Sequence, residues 1–214
     1  MKKLIVLALA FLLICPAQAK SLREMWVSMP DSILPTLNRN LRTEFYELAD
    51  MNVQPEVRNL LGEDCVMDTI TSHYLHLTLS EVSTFEMMAL PLAAKADTVY
   101  CFVKTFAAPE KDSEIKFVDL NWKELDCHAF FAGTFLEGME QRLVHKPDTM
   151  SEQRYHELVS LLEPKMWFAE LSANDETITF THSLPLLSQD EKNELKTVLL
   201  QRKFKWNGKT FNEN

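Results

Sequence analysis

From Tyr74 onward the side chains change character at every second position. Leu75, Leu77 and Leu79 alternate with Tyr74, His76 and Thr78, and Val99, Cys101 and Val103 alternate with Tyr100, Phe102 and Lys104. A period of two belongs to strands, whose successive side chains point to opposite faces. Phe85 to Leu92 lies between these runs, and Ile115, Phe117 and Asp119 resume the alternation after the turn residues A-A-P-E-K-D-S. No helix-period segment separates neighbours, which argues against a parallel sheet, since that needs crossover helices. The pattern predicts a four-stranded antiparallel meander.

Helical spacing brackets this meander. Ser32 to Met51 places Ile33, Leu34, Leu37, Leu41, Phe45 and Leu48 on one face, with Pro35 tolerated in the first turn. The stretch P-E-V-R-N-L-L-G predicts a second, short helix from Pro55, with Gly62 just past its end. Beyond the meander, Phe130, Phe131, Phe135 and Met139 surround two glycines in a segment that reads as a connecting loop or a short helix. Thr149 and Glu152 then fit a capping box for a helix carrying Tyr155, Leu158, Val159 and Leu162, ended by Pro164. Met166 to Leu171 and Thr177 to His182 flank the turn residues S-A-N-D-E. Ser188 and Glu191 open a further helix with Leu195, Val198 and Leu199, and K-F-K-W-N-G-K-T-F predicts a hairpin closed by a two-residue type I′ turn at Asn207-Gly208. The expected fold class is α+β, helices packed on antiparallel β-sheet: two helices and a four-stranded meander in residues 20–126, then a helix-hairpin-helix-hairpin half in residues 127–214. That half either completes the first sheet or forms a smaller unit.

Residues 1–19 carry two lysines, an apolar run from Leu4 to Cys15 and a small-residue site at Ala17-Gln18-Ala19, the pattern of a secretory signal peptide. The run is shorter than the roughly 20 residues that cross a bilayer, so no transmembrane segment is expected after cleavage. Lipidation at Cys15 is disfavoured by bulky Ile14 before it. The expected location is the periplasm or cell envelope. The net charge is −9, and losing Lys2 and Lys3 takes it to −9 − 2 = −11. An acidic chain repels nucleic acid and anionic membranes, and the cluster Arg202, Lys203, Lys205 and Lys209 is too small to reverse this. Four glycines leave no glycine-rich loop for a phosphate or dinucleotide, and no cofactor is expected.

After cleavage Cys65, Cys101 and Cys127 remain, an odd number for an oxidising compartment. A disulfide between Cys101 and Cys127 would contribute roughly 3 kcal/mol on the chain-entropy account. Three buried thiols acting as small apolar residues are the equal alternative.

Candidate chemistry is sparse. His73 and His76 would be neighbours on a helix, but on a strand three residues apart means opposite faces, so they do not share a metal. His156-Glu157 begins like a zinc-protease helix, yet Ser160 stands where a second histidine belongs. Cys127-His128 are adjacent, which turns their side chains apart, and no glycine-flanked nucleophile elbow exists. Glu63, Asp64 and Asp68 are acidic without the spacing of a calcium loop. Of Trp26, Trp122, Trp167 and Trp206, the last stands beside the Asn-Gly turn and is expected to be the most exposed; with Tyr74 and His76 it forms the candidate binding surface.

The phrases M-P-D-S-I-L-P-T-L-N-R-N-L-R-T-E (Met29 to Glu44), N-L-L-G, L-T-L-S-E-V-S-T-F-E-M-M-A-L-P-L and I-K-F-V-D-L-N-W resemble an uncharacterised secreted family, a domain of unknown function of Bacteroides-group bacteria. The resemblance implies an envelope location and no activity. The element order also resembles the β-lactamase-inhibitor-protein type of fold, with a cystatin-like helix-on-sheet arrangement giving a similar pattern. The expectation is a non-enzymatic binding or protein-interaction module whose partner is an envelope protein or a small ligand. The competing reading is a hydrolase or metal-dependent enzyme assembled in three dimensions, from His73 or His128 with Glu63 or Asp68. Both stay open.

Overall fold

The computed structural model describes residues 20–93, 97–131 and 136–214; residues 1–19, where a signal peptide is expected, and Phe135 lie outside them. The period-two runs form the middle of a larger antiparallel meander: β1 (Glu56–Arg58), β2 (Asp64–Ile70), β3 (Tyr74–Ser80), β4 (Ser83–Leu92), β5 (Asp97–Ala107), β6 (Lys111–Val118) and β7 (Glu124–Leu125), neighbours in sequence order. A second antiparallel sheet runs in the order β11-β10-β9-β8, from β8 (Trp167–Leu171), β9 (Thr177–His182), β10 (Arg202–Trp206) and β11 (Phe211–Glu213). The helices are α1 (Leu22–Ser28), α2 (Arg39–Asp50), α3 (Met139–Arg142), α4 (Glu152–Ser160) and α5 (Gln189–Leu195), with a 3₁₀ turn at Cys127–Phe130. The fold is α+β and antiparallel throughout its two sheets.

Alternation along the large sheet feeds two cores. Leu75, Leu77, Phe85, Met87 and Phe102 face α1 and α2, where Trp26 and Phe45 are fully buried. On the other face Met88, Leu90, Cys101, Val103 and Phe117 meet Phe131, Ile178 and Phe180 beneath the small sheet. Side chains from both sides of residue 126 therefore share one core. Each large apolar side chain buried in these layers contributes about 1.5–3 kcal/mol. Because both faces of β4 are covered, its sequence reads as the continuous run M-M-A-L rather than as an alternation. Leu158, Leu162, Leu195 and Val198 fill a smaller core where α4 meets α5.

Four local expectations are corrected. The helix expected from Ser32 begins at Arg39, where the Asn38 side chain accepts the Leu41 N–H at 3.1 Å. Arg42 is the cause: 1% exposed, it donates to the carbonyls of Trp26, Met29 and Leu37 and pairs with Asp31 at 2.9 Å, so residues 29–37 wind round a guanidinium. Leu34 and Leu37 still point inward, and their spacing imitated a helix face. The short helix expected from Pro55 is β1 and the turn after it: Val57 pairs with Cys65, and Gly62 uses its positive φ of 87° in the connection. The two leading helices are thus α1 and α2, the former opened by a capping box between Ser21 and Glu24. At α4 the cap is Ser151, accepting the Arg154 N–H at 3.2 Å, in place of Thr149. The last hairpin pairs only as far as Trp206 with Phe211, leaving four residues in its loop; Gly208 alone takes positive φ, and the Asn207 side chain accepts from Lys209 and Thr210.

Candidate functional site

The register of the meander places His76 on β3 directly opposite Glu86 on β4, with Tyr74 one diagonal step away. All three project toward the small sheet. Glu86 is 6% exposed on a face otherwise filled with Met88 and Leu90. Its Oε1 accepts the Tyr74 hydroxyl at 2.6 Å, and the backbone N–H of Leu171 on β8 reaches both carboxylate oxygens at 3.2 Å. Burial pushes the Glu86 carboxyl up to about 7, against the pull of these hydrogen bonds. Burial, with Glu86 beside it, also raises the Tyr74 phenol, which stays a donor.

This contact is one of a pair. β8 is the edge strand of the small sheet, and its outward N–H groups find side chains of the large one: Leu171 finds Glu86, and Ala169 donates to Ser113 Oγ at 3.0 Å. Ser113 is in turn bonded to Thr105 at 2.8 Å. Where the two sheets diverge beyond these ties, a cleft of about 560 Å³ opens, with Glu86 at its floor, Thr84 and Thr105 on one wall, Phe168 and Glu170 on the other, and the β3–β4 turn at its rim. Such a volume suits a small ligand. Lys111 spans the cleft, its ammonium 4.4 Å from the centre of the Phe168 ring and 3.7 Å from Glu170 Oε1. At the margin His76 Nδ1 meets Asp68 at 2.8 Å.

The expected surface residues divide. His76 lines the cleft and Tyr74 supports its floor, but Tyr74 is 5% exposed. Trp206 is corrected outright: it is 4% exposed, stacks edge-on against Phe211, and donates Nε1–H to the Pro91 carbonyl at 2.8 Å. The expectation of exposure rested on the neighbouring turn, but residue 206 has the inward parity of Phe204. Trp26 is buried, whereas Trp122 and Trp167 are half-buried.

His73 falls just before β3, and its Nε2 lies 3.0 Å from the Ala173 carbonyl, away from His76. His128 is exposed, Glu63 lies on the β1–β2 connection, Asp64 opens β2 paired to Arg58, and Asp68 is bonded to His76, so the anticipated groupings with His73 or His128 do not form. His156 and Glu157 are on the solvent face of α4, Glu157 bonded to Arg154. Cys65 and Cys101 are buried and Cys127 is half-buried, all three as thiols. Among the described residues no three of His, Cys, Asp and Glu gather around a metal position, and no helix is long and apolar enough to cross a membrane.

Sequence reasoning missed Glu86, Lys111, Phe168 and Glu170. One signal was present for the first: a single carboxylate inside the apolar run F-E-M-M-A-L of a central strand.

Residues 14–211 match the family described as "Protein of unknown function (DUF3256)". The chain belongs to this family. A search of curated proteins found no match. Among solved structures, a domain of an uncharacterized protein from Porphyromonas gingivalis W83 is similar in fold, with a TM-score of 0.71 at 21% identity over 90% of this chain and 98% of that one. Both findings fit an uncharacterised domain of that bacterial group.

Proposed function

We propose that this family member is a non-enzymatic binding module of the cell envelope, carried there by the signal sequence at its start, and that it takes a small polar ligand in the cleft between its two sheets. The observation that carries the reading is the construction of that cleft. Its floor carboxylate is held by Tyr74 and Leu171, while Thr84, Thr105, Lys111 and Glu170 present hydrogen-bonding groups of both charges around about 560 Å³. A rigid, satisfied floor under polar walls is the arrangement of a recognition site. The test is a screen of small polar fragments against the ¹⁵N-labelled mature chain. Binders are expected to move the amides of Thr84, Thr105, Glu170 and Ser172 together, and Glu170→Lys to remove the effect. Binders that consistently moved amides on the α1–α2 side instead would refute the assignment.

One observation favours a second reading, an acid–base hydrolase. Glu86, with its carboxyl near 7, and His76, oriented by Asp68 through Nδ1, share one sheet face. Hydrolysis of activated esters that is lost in His76→Asn with the fold intact would establish it; equal rates in both proteins would dismiss it.

A further inference from the structure

Past Phe168 and Lys111 the cleft continues into a second hollow of about 350 Å³, sharing those two residues and Ala107 with the first. Its other walls include Pro109, Glu110, Thr181, His182 and Leu184. Among the described residues one buried acceptor here lacks a donor, and a second ring nitrogen is unpaired beside it. Glu110 Oε2 is buried with no hydrogen-bond partner among the described residues. His182 is 3% exposed, and its Nδ1 lies 2.8 Å from the Ser183 carbonyl, which can only accept. Nδ1 therefore carries the ring proton, and Nε2 keeps a lone pair that meets no donor among the described residues. Ser183 is itself fixed, its N–H bonded to the Met166 carbonyl at 2.9 Å and its hydroxyl to the Lys111 carbonyl. Burial lowers the pKa of the imidazole, favouring the neutral ring.

A buried acceptor left without a donor costs about 1–3 kcal/mol, so Glu110 Oε2, with the His182 ring lining the same hollow, calls for an occupant that donates. A water answers a hydrogen bond but brings no charge to set against the carboxylate. A metal ion would find no third ligand of the usual kinds among the described residues. An ammonium group answers the carboxylate charge; the nearby Glu140 adds to that field, while Lys165 and the Lys111 ammonium over the Phe168 ring oppose it, the latter offset by its pairing with Glu170. We propose that this hollow receives the protonated amine of the cleft's ligand, its N–H groups on Glu110 Oε2 and His182 Nε2 and its carbon stem along Phe168, Pro109 and Leu184. The ligand class is then an organic primary amine with an apolar stem, an assignment that rests on the cleft being the binding site.

Hexylamine is the probe and hexan-1-ol, the same stem without the charge, its control. Titration of the mature protein at pH 7, followed by calorimetry and by the ring-nitrogen resonances of His182, is expected to show saturable binding of the amine with a shift at Nε2. Glu110→Gln should weaken the amine by about tenfold, the share of one charge-assisted hydrogen bond, and leave the alcohol unchanged. Equal binding of amine and alcohol, or no movement at His182, would overturn the amine assignment even where polar fragments still perturb Thr84 and Glu170, in which case the cleft reading stands alone. Displacement of hexylamine by micromolar ZnCl₂ with the same Nε2 shift would also overturn it, reassigning the pair to a metal.

Discussion

Glu86→Gln tests the link between the floor of the cleft and the stability of the whole chain. The carboxyl has an ordinary value of 4.5 and is pushed by burial to about 7 in the folded protein. Below pH 4.5 it is protonated in both states. Between 4.5 and 7 the unfolded chain ionises while the folded chain holds its proton, so stability falls as pH rises; above 7 both states are ionised and the loss is complete. At about 1.36 kcal/mol for each pH unit, the interval from 4.5 to 7 amounts to about 3 kcal/mol. Glutamine cannot ionise, so it removes this slope. It also turns an amide donor toward the Leu171 N–H or leaves that N–H to a single oxygen, an offset of about 1–3 kcal/mol that does not change with pH. The diagnostic is therefore the difference between variant and parent. Urea unfolding at pH 5, 6, 7 and 8 should show Glu86→Gln gaining on the parent by about 2.5 kcal/mol across the series, the rest of the change lying below pH 5. Parallel stability curves would refute the reasoning, because they would mean that Glu86 titrates alike in both states.

Three further outcomes follow from the packing. Gly208→Ala should destabilise by about 1–3 kcal/mol, through a strained positive φ and a new Cβ placed 2.6 Å from the Ala93 Cβ, whereas Gly62→Ala, with open space around its Cβ, should cost only about 1 kcal/mol; thermal melts of the two variants compare them directly. Trp206→Phe should cost about 1–3 kcal/mol in urea unfolding, because the Pro91 carbonyl loses its indole donor. Thiol titration of the unreduced mature protein should find three thiols once it is denatured and slow reaction before that, since Cys65 and Cys101 are inaccessible and burial pushes Cys127 up to about 12; one thiol in place of three would mean that Cys101 and Cys127 are bridged.

The meander was legible because β3 and β5 bury alternate residues in cores of different depth, and the capping box at Ser188 and Glu191 marked α5 without any tertiary information. What escaped the sequence depended on partners far along the chain. Arg42 looks like a polar position on an amphipathic helix until Met29 and Leu37 present their carbonyls to it. Gly62 serves a helix end and a strand connection equally well, and only the pairing of Val57 with Cys65 decides between them. Glu86 owes its environment to Leu171, 85 residues away, and the Glu110–His182 hollow brings the turn before β6 beside the end of β9, from opposite sheets. Parity would have located Trp206 correctly had it outweighed the neighbouring turn.

The side chains that meet β8 have a consequence for life at high concentration. A strand at a sheet margin is normally an invitation for another chain to add itself, the first step toward polymers and fibrils. Here Ser113 and Glu86 occupy two of the main-chain donors that an incoming strand would need, and at the opposite margin Phe211 bridges to Phe131. The large sheet ends in β1 and β7, three and two residues long, too short to template a neighbour. A chain made of eleven described strands thus presents little for a second copy to extend.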